Sequence, residues 1–114
     1  MILATIRMKI SPQKRGEALK ILKSIVEGNR ILPGCLSCRI YEDIEEDNVL
    51  MYEEMWKSEA ELEQHLRADE YRKVLLVMEM ALDHPEVGFN TLLSSTGIET
   101  IEKARKFTRK GERL

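Results

Sequence analysis

The sequence predicts an α+β fold of the ferredoxin-like kind, a βαββαβ order with a four-stranded antiparallel sheet, helices on one face and a further C-terminal helix. Two observations predict it. Four segments place apolar residues at every second position, the period of a half-buried strand, and the segments between them repeat at helical spacing. The chain has 114 residues, enough for one modest core and too few for two.

The first strand is marked by Ile2, Ala4, Ile6, Met8 and Ile10, alternating with Thr5, Arg7 and Lys9. Ser11-Pro12 then offers an N-cap and a proline at the first helical position, and Ala18, Leu19, Leu22, Ile25 and Val26 carry a helix to Gly28-Asn29. After the Pro33-Gly34 turn, Leu36, Cys38 and Ile40 alternate with Ser37, Arg39 and Tyr41 as strand 2. The acidic stretch 45–48 leads into Val49–Trp56, so strands 2 and 3 form an antiparallel hairpin. Ser58 and Glu61 have the spacing of a capping box, which starts a short helix with Leu62, His65 and Leu66 on one face. Asp69 caps a further helix carrying Tyr71, Val74, Leu75, Met78 and Leu82, which Pro85 ends. Val87, Phe89, Thr91 and Leu93 alternate as strand 4, and Ile98, Ile101, Ala104 and Phe107 recur at helical spacing in the tail. The division expected is a domain over 1–96 and a basic helical extension over 97–114.

Helices cover one sheet face only. The residue sets Arg39/Tyr41 and Tyr52/Glu54/Trp56 read as too mixed for a core and too aromatic for plain solvent, so some of them line a pocket or a subunit contact. Two sheets packed face to face would bury the second side, which predicts a homodimer.

Lys and Arg number 18 against 20 Asp and Glu, a net charge of −2, so no overall field draws the chain to nucleic acid. No apolar run approaches the roughly 20 residues of a membrane span, so no membrane insertion is expected. Two cysteines make no disulfide framework, and the expected setting is a reducing cytoplasm with free thiols.

Cys35 and Cys38 form a C-x-x-C. On a regular strand, positions three apart point to opposite faces, so these read as packing thiols, and no metal site is expected. His65, on the apolar stripe between Leu62 and Leu66, is either a hydrogen-bonded core histidine or a general base held neutral by its surroundings. His84, beside Pro85, reads as a helix C-terminal cap. Trp56 is the sole tryptophan, suited to wall a flat apolar ligand or to close a small core. Glu54 and Tyr52 share its strand face, where a carboxylate can orient an imidazole or a ligand hydroxyl, or pair across the sheet. The basic residues Lys103, Arg105, Lys106, Arg109, Lys110 and Arg113 fit a solvated helix face whose Ile98/Ile101/Phe107 edge docks on a neighbour.

Pro33-Gly34-Cys35-Leu36 before strand 2, and E-x-W-x-S-x-x-x-L-x-x-H-L from Glu54 to Leu66, resemble the antibiotic biosynthesis monooxygenase family, most closely its quinol monooxygenase branch of dimeric α+β barrels. The similarity covers about residues 1–95. The haem-degrading branch fits badly, since Ile6, His65 and Leu75 stand where that branch has an asparagine, a tryptophan and an axial histidine. Tyr52 stands where polyketide oxygenases of the family carry an asparagine.

The resemblance implies cofactor-free oxygenation of an electron-rich aromatic, a quinol or an anthrone, by O₂. Its implied roles are His65 as base, Trp56 as aromatic wall, and Glu54 and Tyr52 as substrate-orienting groups. Two other readings use the same pocket: a dimeric module that binds a hydrophobic aromatic without turning it over, and an isomerase or degrading enzyme acting on an acidic C–H.

Overall fold

A computed structural model describes residues 1–106 of the chain. In order these form β1 (Ile2–Lys9), α1 (Pro12–Asn29), β2 (Cys35–Glu42), β3 (Val49–Trp56), α2 (Glu59–Arg67), a 3₁₀ turn (Asp69–Tyr71), α3 (Arg72–Glu79), β4 (Glu86–Thr91) and α4 (Ile98–Arg105). The sheet runs β2-β3-β1-β4 with every pair antiparallel, which is the ferredoxin-like arrangement. Phe107, Arg109, Lys110 and Arg113 lie outside the described residues.

Register decides which side chains meet. Ile2, Ala4 and Ile6 of β1 stand opposite Trp56, Glu54 and Tyr52 of β3, and opposite Thr91, Phe89 and Val87 of β4. Directly opposed residues share a face. Ile6 and Met8 pack there against Ala18, Leu22, Ile25 and Val26 of α1 and Val74 and Val77 of α3. The side chains of Tyr52, Glu54 and Trp56 therefore point under the helices, each only 1% exposed. The sequence reading that set them with Arg39 and Tyr41 on the second face is corrected by this register. Those two stand opposite Glu53 and Met51, on the open side of the sheet.

Other differences are local. The β2–β3 register shifts between Cys35 and Ser37, so Leu36 leaves the expected alternation and is 51% exposed. Pro12 does open α1, but the Ser11 side chain makes no capping bond. Only half of the capping box forms, with the Glu61 amide donating to Ser58 Oγ at 3.3 Å. Asp69 sits in the 3₁₀ turn rather than at a cap. Helix α3 stops at Glu79 and buries Val74 and Val77, leaving Leu75 and Leu82 exposed. His84 lies beyond that end, and the C-cap of α3 is Met80. Leu93 lies past β4, fully open to solvent.

Candidate functional site

The end of β3 and the start of α2 build the site. Alternation along Tyr52-Glu53-Glu54-Met55-Trp56 aims the first, third and fifth side chains at the helices. The chain then turns at Ser58, and i, i+3 spacing on α2 puts Leu62 and His65 on the face that meets the sheet, where both are buried. The His65 ring stacks on Trp56 at 4.6 Å between centroids and 29° between planes, and meets Tyr71 edge-on at 5.2 Å.

Glu54 is the hub. Its Oε2 lies 2.8 Å from His65 Nε2 and accepts hydrogen bonds from Asn29 Nδ2 at 3.0 Å and from the Tyr52 hydroxyl. Its Oε1 accepts from the Trp56 indole N–H at 2.9 Å. Burial pushes this carboxyl upward, but hydrogen bonds from His65, Tyr52 and Trp56 outweigh it and hold the group below the usual carboxylate range. Burial and the Glu54 charge push the Tyr52 phenol far above its ordinary value, so it stays protonated and donates. The same two causes push Tyr71 up to about 12.

An ionised carboxylate only accepts, so the proton between Glu54 and His65 belongs to Nε2, and whenever the ring is neutral its lone pair lies on Nδ1. Nδ1 makes no hydrogen bond among the described residues. His65 and Trp56 line a cavity of about 300 Å³ together with Leu32, Pro33, Glu61 and Gln64. The arrangement is a carboxylate–imidazole pair with an aromatic wall and a basic nitrogen left over. Of the four residues singled out in the sequence, His65 and Trp56 border the cavity, while Glu54 and Tyr52 lie in the hydrogen-bond network behind the imidazole.

Asn29 belongs to that network and was missed. Its side chain donates to the Tyr52 hydroxyl at 2.9 Å as well as to Glu54, and approaches Cys38 Sγ at 3.7 Å. The signal was present: Leu22, Ile25, Val26 and Asn29 stand at i, i+3, i+4 and i+7, so the asparagine continues the buried stripe of α1. Replacing Asn29 with Ala leaves a buried carboxylate and a phenol each short of a donor. The expected loss is about 1–3 kcal/mol of unfolding free energy, measured by urea denaturation, and an unchanged midpoint would remove Asn29 from the network.

The shifted register also corrects the placement of the thiols. Cys35 stands opposite Trp56 and Cys38 opposite Glu54, so both face the helices. Both are free. Burial pushes Cys35 up to about 11 and raises Cys38 as well, so each remains a protonated, unreactive thiol near neutral pH.

Comparisons with known proteins agree with this architecture. The family model described as antibiotic biosynthesis monooxygenase matches residues 1–75. The uncharacterized protein sll1783 of Synechocystis is 35% identical over 60 residues, which are 53% of this chain and 41% of that protein. The chain thus spans less than half the length of that curated relative. A conserved protein from Methanosarcina mazei Go1 superposes with a TM-score of 0.73 at 27% identity, covering 78% of this chain and 89% of that one. Rv0793 from Mycobacterium tuberculosis has the same fold, with a TM-score of 0.75 at 21% identity over 84% of this chain and 98% of that one. With two-thirds of its length matched by one family model and its sheet superposing on these structures, the chain belongs to the antibiotic biosynthesis monooxygenase family.

Proposed function

We propose that the protein is a cofactor-independent monooxygenase acting on a small electron-rich aromatic, a quinol or an anthrone, with His65 as its general base. The observation that carries this reading is the 2.8 Å contact of His65 Nε2 with Glu54, which leaves Nδ1 as an acceptor. Deprotonating such a substrate raises its electron density until it reduces O₂ by one electron. The radical pair then collapses to a hydroperoxide. At a ring carbon that keeps a hydrogen, loss of water from the hydroperoxide leaves a carbonyl, so an anthrone and O₂ become a quinone and water. The protein supplies the base, a flat wall in Trp56 and a cavity that limits water. Glu54 holds the tautomer and stabilises the imidazolium as it forms. Tyr52 and Asn29 hold Glu54.

The test is oxygen uptake with product analysis on a panel of hydroquinones and anthrones, comparing metal-free wild type with a folded His65→Ala variant. Uptake above autoxidation that collapses in the variant supports the reading. Equal rates would sink the role of His65. Binding without uptake would favour the ligand-binding module, and product without uptake the isomerase.

The same reading includes a homodimer joined through the open face of the sheet, in a reducing cytoplasm that suits the two free thiols. Leu3, Met51 and Met55 are only half-buried there, beside an exposed Tyr41. A charge placed among them opposes face-to-face packing. Met51→Glu is expected to lower the mass seen by light scattering from dimer to monomer, and a dimer that persists would exclude this face.

A further inference from the structure

We propose that Glu61 is a ligand-binding residue, whose carboxylate accepts a hydrogen bond from the second hydroxyl of a diphenol while the first hydroxyl lies at His65. The inference rests on the reading of this cavity as an aromatic site, and it adds which polar groups the ligand must carry. Glu61 follows the cap residue Ser58 by three positions, where a glutamate side chain ordinarily turns back to accept from the cap's own amide. Here the Glu61 amide donates to Ser58 Oγ at 3.3 Å, but the side chain does not return the bond. It lies instead against the Pro33-Gly34 turn, so close that a Cβ at Gly34 would fall 1.3 Å from Glu61 Oε2. Gly34, with a φ of 85°, both makes that turn and leaves the space for the carboxylate.

Oε2 is buried and has no hydrogen-bond partner among the described residues. A buried oxygen without a donor is costly, and because it is already withdrawn from bulk water, a donor that reaches it gains more than one at the surface. The same cavity is bordered by Trp56, His65 and the apolar Leu32 and Pro33. Glu70 also borders it, but its carboxylate is exposed and paired with Lys73 at 2.9 Å. Glu61 and His65 stand at i and i+4 on α2, on one face and about 6 Å apart along the axis. One wall thus carries two acceptors a helical turn apart, the carboxylate and the Nδ1 of the neutral imidazole. A ring with hydroxyls at opposite ends offers a donor to each. An ether or carbonyl at the Glu61 end would set acceptor against acceptor and leave the buried oxygen unpaired, which is how a polar site rejects an analogue that lacks the donor.

Binding measured without oxygen tests this apart from any reaction. Isothermal titration under argon compares naphthohydroquinone with its monomethyl ether on wild type, Glu61→Ala and Glu61→Gln. Wild type is expected to bind the diol about tenfold more tightly than the ether, and in Glu61→Ala that preference disappears. Glu61→Gln keeps the bulk and one acceptor oxygen without the charge, so its preference falls between the two, and it decides the matter if the alanine variant does not fold. Equal affinities in wild type, a preference that persists undiminished in the variants, a loss of both compounds alike in Glu61→Ala, or no binding of either compound to wild type would each overturn the proposal. A preference that depends on Glu61, with no oxygen uptake once air is admitted, would uphold the role of Glu61 and sink only the monooxygenase reading.

Discussion

Substituting Glu54 with Gln is expected to lower the turnover number of an accepted quinol or anthrone by about 10²-fold, while KM moves only a few-fold. Glutamine fits the space, and three donors, from His65, Tyr52 and Asn29, converge on the Oε2 position. The amide oxygen will take that position, so Nε2 keeps its proton and Nδ1 keeps its lone pair. Two things are lost. The negative charge beside the forming imidazolium disappears, which slows proton transfer. The amide NH₂ also turns toward the Trp56 indole N–H, which had bonded to Oε1 at 2.9 Å, leaving a buried donor unpaired at a cost of about 1–3 kcal/mol. The measurement is steady-state oxygen uptake for kcat and KM, with the Trp56 indole proton followed by NMR. A variant with unchanged kcat would show that the Glu54 charge takes no part in the chemistry.

Stability is expected to fall in acid, in large part through the same carboxylate. The folded protein holds Glu54 below its ordinary value of 4.5, so the unfolded chain binds this proton more readily. The stability that the ionised network contributes is therefore complete above about pH 4.5 and is lost as pH falls through the lowered folded value. Each unit of depression corresponds to about 1.4 kcal/mol. Thermal melts from pH 7 to 3 check this, because Glu54→Gln removes the group that titrates. The variant should be less stable than wild type near neutrality and show a flatter acid limb, the two curves converging as pH falls. Parallel curves would place the acid sensitivity elsewhere. Asp43, whose carboxylate accepts from the Glu45 and Glu46 amides and is also held low, contributes to the acid limb of both proteins.

Much of this architecture was legible because period-two and period-3.6 apolar patterns are local properties of a chain. Ile2 to Ile10, Ala18 to Val26 and Val49 to Trp56 announced their elements, and Ser58 announced the start of α2. The apolar stripe from Leu62 to Leu66 placed His65 against the sheet. Long-range register was not legible. A bulge of one residue near Leu36 turned Cys35 to the same face as Cys38, and no count of positions along β2 reveals it. The extent and buried face of α3 were not legible either: the helix ends at Glu79 and buries Val74 and Val77, while Leu75 is exposed.

The sequence by itself determined the order of elements and the group of side chains in which chemistry could reside, because these follow from local spacing and residue type, and its Glu54–Leu66 segment carried the resemblance to the family. Only the tertiary structure decided how those side chains are divided. It moved Tyr52, Glu54 and Trp56 from the open face to the covered one, joined Asn29 to them from α1, and set His65 between a carboxylate and an indole. Those outcomes depend on which strand stands opposite which and on where a helix ends, and both are settled by packing across the whole domain.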